Sequence, residues 1–147
     1  MECANLPALA QNRLRTPSNA WRIYTNSDQR FQISYPPGSH ASEPYPSYIR
    51  IQNYTKTSGY GLNKGQYYLE IFIDGRSITC KNLSNQKLVS IGLVDAVTGI
   101  APIDGDPGGL PFTLCAYRNQ KVIEFRVTEP DKQGTLSNQI FNSIKFY

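Results

Sequence analysis

The run Pro111-Phe-Thr-Leu-Cys-Ala-Tyr-Arg118, then Asn119-Gln120, then Lys121-Val-Ile-Glu-Phe-Arg-Val-Thr128 most constrains what this chain can fold into. Two strand-forming runs separated by two polar residues are the strongest local signal for an antiparallel hairpin. The same grammar recurs upstream. Trp21, Ile23 and Thr25 alternate with Arg22 and Tyr24; a turn at Asn26-Ser27-Asp28 leads to Phe31, Ile33 and Tyr35 alternating with Arg30, Gln32 and Ser34. Pro36-Pro37 ends that second strand, because proline cannot donate to a ladder. Ile49 and Ile51 in YIRIQNY, and Leu69, Ile71 and Ile73 in QYYLEIFID, again fall every second residue. Two further strands, 87–91 and 94–101, flank Gly92.

Between these strands the sequence predicts loops at 38–46 and 55–65, a turn at Asp74-Gly75, and a loop at Ile103 to Gly109. SITCKNLSNQ is ambiguous and can form a short helix. Near the end the period changes: Leu136, Ile140 and Ile144 at spacings of four, with Phe141 beside them, line one face of a helix, for which Thr135 or Ser137 can serve the start. A last short strand is expected in KFY. Residues 1–20 read as separable, a tether or a short helix from Asn5 to Ala10, and 21–147 as one α+β domain. A chain of 147 residues is of one-domain length and can bury a core without a metal.

The three cysteines bear on compartment. Cys80 and Cys115 lie 35 positions apart, and a disulfide between them would remove denatured-state entropy worth roughly 3.5–4 kcal/mol; two buried free thiols are the alternative. Disulfides persist in oxidising compartments, so the pairing points outside the cytoplasm. Cys3 is left over. Met1-Glu2-Cys3 runs directly into polar sequence, as in a mature form, and a Cys followed by a tether suits a lipid anchor. No apolar run approaches the roughly 18 residues of a membrane span, so membrane attachment is expected only through Cys3.

The motifs argue more against chemistry than for it. Net charge is +4, but the basic residues are scattered and form no block, so nucleic acid is not an expected partner. No G-x-S-x-G, P-loop or dinucleotide fingerprint occurs, and Glu43, Glu70, Glu124 and Glu129 show no pairing along the chain. The sequence implies no cofactor and no metal. Asp104 and Asp106 faintly resemble a calcium loop but lack its twelve-residue pattern. His40, in the loop GSHASEPYP, has no orienting partner in sequence. Against these stands a concentration of tyrosines, Tyr45, Tyr48, Tyr54, Tyr60, Tyr67 and Tyr68. Exposed tyrosines anchor interfaces; they are also ordinary strand formers.

In order, Trp21, Tyr24, Thr25 and Asn26, then Phe31, Ile33, Tyr35 and Pro36, and the closing Phe141-Asn142-Ser143-Ile144-Lys145-Phe146 resemble small bacterial extracytoplasmic proteins of the PsbP-like kind. The resemblance implies an antiparallel β-sheet flanked by helices, an exported or lipid-anchored location and no catalytic residues. The expectation is a non-enzymatic binding or accessory module that contacts a protein or cell-surface component through the 45–68 tyrosines. The alternative is a small ligand-binding protein or hydrolase using His40 or Asp104 and Asp106.

Overall fold

The computed structural model describes residues 20–55, 61–73, 78–103 and 108–147. Cys3, Tyr60, Asp104, Asp106, the Asp74-Gly75 turn and the tether at 1–19 lie outside the described residues. The elements in order are β1 (Arg22–Asn26), β2 (Phe31–Tyr35), β3 (His40–Tyr45), β4 (Tyr48–Gln52), β5 (Tyr68–Ile73), α1 (Ile78–Lys81), β6 (Ser84–Ile91), β7 (Val94–Ile100), β8 (Leu110–Arg118), β9 (Lys121–Glu129), α2 (Thr135–Asn142) and β10 (Lys145–Phe146). They form a three-stranded sheet, β1-β2-β10, and a seven-stranded sheet, β3-β4-β5-β9-β8-β7-β6. Every strand pairing is antiparallel.

The turns explain the register. Asn119 and Gln120 both take positive φ, 52° and 64°, the left-handed pair that matches a two-residue hairpin to strand twist. Leu114 thereby lies opposite Phe125, and Ala116 opposite Ile123. Continuing across β5 and β4 aligns Phe125, Ile71 and Ile49 in one row, and Val127, Leu69 and Ile51 in the next. These rows form the inner face of the large sheet, and all six side chains are fully buried.

The small sheet and α2 cover that face. Phe31, Ile33 and Tyr35 of β2 point into the core, with the Phe31 ring meeting Phe125 edge to face at 5.3 Å. In β1 the inward residue is Tyr24, opposite Ile33, so Ile23 is left 59% exposed. Ile140 and Phe141 of α2 join the same cluster, and Ser143 Oγ accepts the Ser34 N–H at 2.8 Å. Arg118 ties the ends together: Nη1 donates to the Arg30 carbonyl at 2.9 Å and Nη2 to the Tyr147 carbonyl at 2.7 Å.

Three expectations need correction. The loop expected at 38–46 holds β3, an edge strand exposed along its whole length; a strand with neither face buried has no reason to alternate. The sheet is less flanked by helices than expected, since α1 is a single turn and α2 spans 8 residues. The start of α2 is capped by neither Thr135 nor Ser137. Its N-cap is Gly134 at φ 65°, and upstream acids satisfy the first turn. Asp131 accepts the N–H groups of Gln133 at 3.0 Å and Thr135 at 3.3 Å. Glu129 Oε2 accepts both the N–H of Ser137, at 2.6 Å, and its hydroxyl, at 2.5 Å.

Candidate functional site

The opposite, outer face of the large sheet is where polar and aromatic side chains gather. Side chains alternate faces along each strand, and the register sets three residues from each of β4, β5 and β9 side by side: Gln52, Tyr68 and Thr128; Arg50, Glu70 and Arg126; Tyr48, Phe72 and Glu124. Charge alternates in sign across and along this grid. Arg50 and Arg126 flank Glu70 at 3.6 and 3.9 Å, and Arg126 also pairs with Glu124. Like charges are never directly opposite, which cross-strand pairing disfavours.

Aromatic rings fill the diagonals. The Arg50 guanidinium lies over the Tyr68 ring at 4.1 Å and that of Arg126 over Phe72 at 4.7 Å. Partly desolvated cation–ring contacts of this kind are worth about 0.5–2 kcal/mol each. Tyr48 packs on Phe72 with centroids 5.2 Å apart, while its hydroxyl donates to Glu70 Oε2 at 2.6 Å. Arg50 Nε donates to Gln52 Oε1 at 2.7 Å, and Gln52 Nε2 to the Tyr54 carbonyl at 2.6 Å. Arg126 Nε is buried and has no hydrogen-bond partner among the described residues.

Burial sets the protonation behaviour. It raises the Tyr48 hydroxyl above the ordinary tyrosine value, and donation to Glu70 adds to the rise. It also lifts Glu124 above the ordinary glutamate value, against the downward pull of Arg126. The grid is a packed array of charges and ring faces.

The predicted tyrosines divide. Tyr48, Tyr54 and Tyr68 take part in the grid, and Tyr45, opposite Tyr48 at the β3–β4 turn, stands 66% exposed at its margin. Tyr67 does not belong: it is fully buried, with its hydroxyl 2.6 Å from Ser39 Oγ, and burial pushes it up to about 12. It precedes β5 and falls on the same side as Leu69, so it is a core residue. Tyr60 lies outside the described residues. Arg50, Glu70, Phe72, Glu124 and Arg126 are the residues that sequence reasoning missed; their juxtaposition spans three strands and needs the register to become visible.

His40 lies at the start of β3, exposed and opposite Gln52, with no carboxylate among the described residues bonded to it. Among the described residues no three of His, Cys, Asp or Glu come together as a metal site, and no helix is long and apolar enough to cross a membrane. Two surface depressions lie elsewhere. One of about 480 Å³ sits between Lys64–Gln66 and Glu129–Asp131; one of about 580 Å³ lies beside Leu93, Tyr117 and Tyr147.

Farther along the outer face, Cys80 of α1 is bonded to Cys115 of β8, with Cα atoms 6.0 Å apart. Leu83, Val97, Ala101 and Val122 surround the bridge as a second, small apolar cluster. A four-residue helix has no stability of its own; the covalent link and this cluster hold α1 on the sheet.

No family profile and no curated protein matches the chain. Among solved structures, the solution structure of cyanobacterial PsbP (CyanoP) from Synechocystis sp. is similar with a TM-score of 0.61 and 10% sequence identity, over 88% of this chain and 94% of that one. A crystal structure from Bacteroides thetaiotaomicron is similar with a TM-score of 0.50 and 12% identity, over 85% of this chain and 48% of that one, so this chain spans about half of that protein. At such identities the likeness is one of fold. With its two antiparallel sheets and short helix, and this likeness over most of both chains, the chain has a PsbP-like fold.

Proposed function

We propose that this protein is an exported, non-enzymatic accessory module that works by contact, presenting the β4–β5–β9 outer face to a protein partner or a cell-surface component. The observation that carries the reading is the grid: a face of tyrosines and arginines, several of them half-buried, held in place by their own neighbours. Tyr and Arg are the residue types over-represented where interfaces concentrate their binding energy. A pre-ordered face also loses little side-chain freedom on binding. Tyr45, exposed at the margin, is the ring a partner would cover first, with the half-buried Tyr54 close by.

Export rests on the disulfide, since such bonds are kept reduced in most cytosols. Membrane attachment, in this reading, goes through an acyl group on Cys3. The likeness to cyanobacterial PsbP supports a scaffold of this kind and says nothing of the partner.

A triple variant, Tyr45→Ala, Tyr48→Ala and Tyr54→Ala, tests the surface against an envelope fraction of the native host. Wild type is expected to retain a defined component that the variant loses while still folding, at a melting temperature lowered by the lost Tyr48 contacts to Phe72 and Glu70. Equal retention by both proteins would refute the assignment of this face.

A further inference from the structure

The two edges of the seven-stranded sheet are built differently. At one edge, β3 carries Glu43, Pro44 and a register shift between Ser42 and Tyr45. Charge, a missing N–H and a local bend are the devices that keep an edge from recruiting another strand. At the other edge, β6 confines its irregularity to Ser84–Lys87, where Asn85 takes φ 55°. From Leu88 to Ile91 the strand is regular and carries neither charge nor proline. Among the described residues no strand lies beyond it.

The hairpin determines which backbone groups point outward. Gly92, at φ 60°, and Leu93 make a two-residue turn between Ile91 and Val94, so those flanking residues exchange hydrogen bonds and the pattern alternates from there. Val89 and Lys87 bond to β7, consistent with the Lys87 carbonyl accepting from Thr98 Oγ1 at 3.5 Å. Leu88 and Ser90 turn their N–H and C=O groups away from the sheet. Leu88 is 86% exposed, beside a shallow depression of about 500 Å³ lined by Leu88, Val89, Ser90, Asp95 and Ala96.

We propose that the Leu88–Ile91 half of β6 pairs antiparallel with the same strand of a second copy of this chain, about a two-fold axis at Val89. In that register Leu88 of each copy lies opposite Ser90 of the other, and the two pairs exchange about four backbone hydrogen bonds. Val89 meets Val89, extending the inner-face row of Ile123, Ala116, Ala96 and Val89 across the junction. Lys87 falls opposite Ile91, so no like charges oppose one another. An axis at Leu88 would bring Ser90 against Gln86 in the irregular part of the strand, and an axis at Ser90 would set Leu88 against Gly92 beyond its end. The self-complementary register is what selects a second copy over another strand-donating protein.

Cysteine scanning in a Cys3→Ser background, with sedimentation velocity alongside, tests this. Val89→Cys places two thiols on a non-hydrogen-bonded cross-strand pair, within disulfide reach. It is expected to give covalent dimers under mild oxidation much faster than Leu88→Cys, Ile91→Cys or, at the other edge, Tyr45→Cys. Unmodified protein should show a concentration-dependent monomer–dimer equilibrium. Ser90→Pro leaves the β7 ladder intact but removes an outward donor from each copy, and is expected to weaken the dimer at least about tenfold. A monomer at every concentration, fastest crosslinking from any position other than Val89, or a folded Ser90→Pro protein that dimerises unchanged would overturn the proposal. If Ser90→Pro fails to fold, the cysteine series decides alone.

Discussion

Reducing the Cys80–Cys115 bridge perturbs one covalent bond and leaves every side chain in place. The bridge closes a loop of 35 positions between α1 and β8, and the chain-entropy relation gives roughly 3.5–4 kcal/mol for a loop of that length. Domains of this kind have total stabilities of about 5–15 kcal/mol, so the loss is a large share. Both sulfurs lie in a buried apolar cluster with Leu83, Val97 and Ala101, and reduced thiols there still pack as small apolar groups. The difference between the two redox states therefore isolates the crosslink from the packing. Urea unfolding with and without reductant is the assay. The midpoint should fall and the slope rise, because the reduced denatured chain exposes more surface. In thermal unfolding the same loss appears as roughly 7–16 °C in Tm. Coincident curves in the two states would refute the reasoning, since the bridge would then constrain nothing that unfolding releases.

Two smaller perturbations probe the interior. Glu129→Ala removes the acceptor of both Ser137 groups inside the fold, and unsatisfied buried donors cost about 1–3 kcal/mol each; calorimetry should show a loss of about 2–4 kcal/mol, and Ser137→Ala a smaller one. Tyr67 in the folded chain is pushed from 10.0 up to about 12 by burial. Its contribution is complete below the unfolded value and is lost as pH rises from about 10 to about 12, because the unfolded chain ionises first. Stability measured across that alkaline range should fall less steeply in Tyr67→Phe; an unchanged slope would contradict the placement.

What could be read before folding followed from burial. The alternation in β2, β4 and β5 was legible because one face of each is pressed on the core. β3 was not, since HASEPY is exposed throughout and nothing forces a pattern on it. Tyr67 and Tyr68 looked alike as neighbours, yet one enters the core and the other lies under Arg50, a distinction set by where β5 begins. The helix face of Leu136, Ile140 and Phe141 was visible from its spacing, while its capping acids sit upstream across the Pro130 turn, at offsets no short motif covers. Glu70 and Glu124 looked unpaired along the chain. Glu124 in fact pairs with Arg126 two positions on in its own strand, whereas the partners of Glu70, Arg50 on β4 and Arg126 on β9, lie 20 and 56 positions away and become neighbours only through strand pairing.

The account as a whole turns on whether the tyrosine-and-arginine face meets another molecule. A photo-activatable residue placed at Tyr54 in the native host, with one at Asn138 on the exposed side of α2 as control, asks this directly. The account predicts a defined crosslinked species from Tyr54 in the cell-envelope fraction and none from Asn138. Crosslinks of equal yield from both positions, or none from Tyr54 while Asn138 captures a partner, would contradict it.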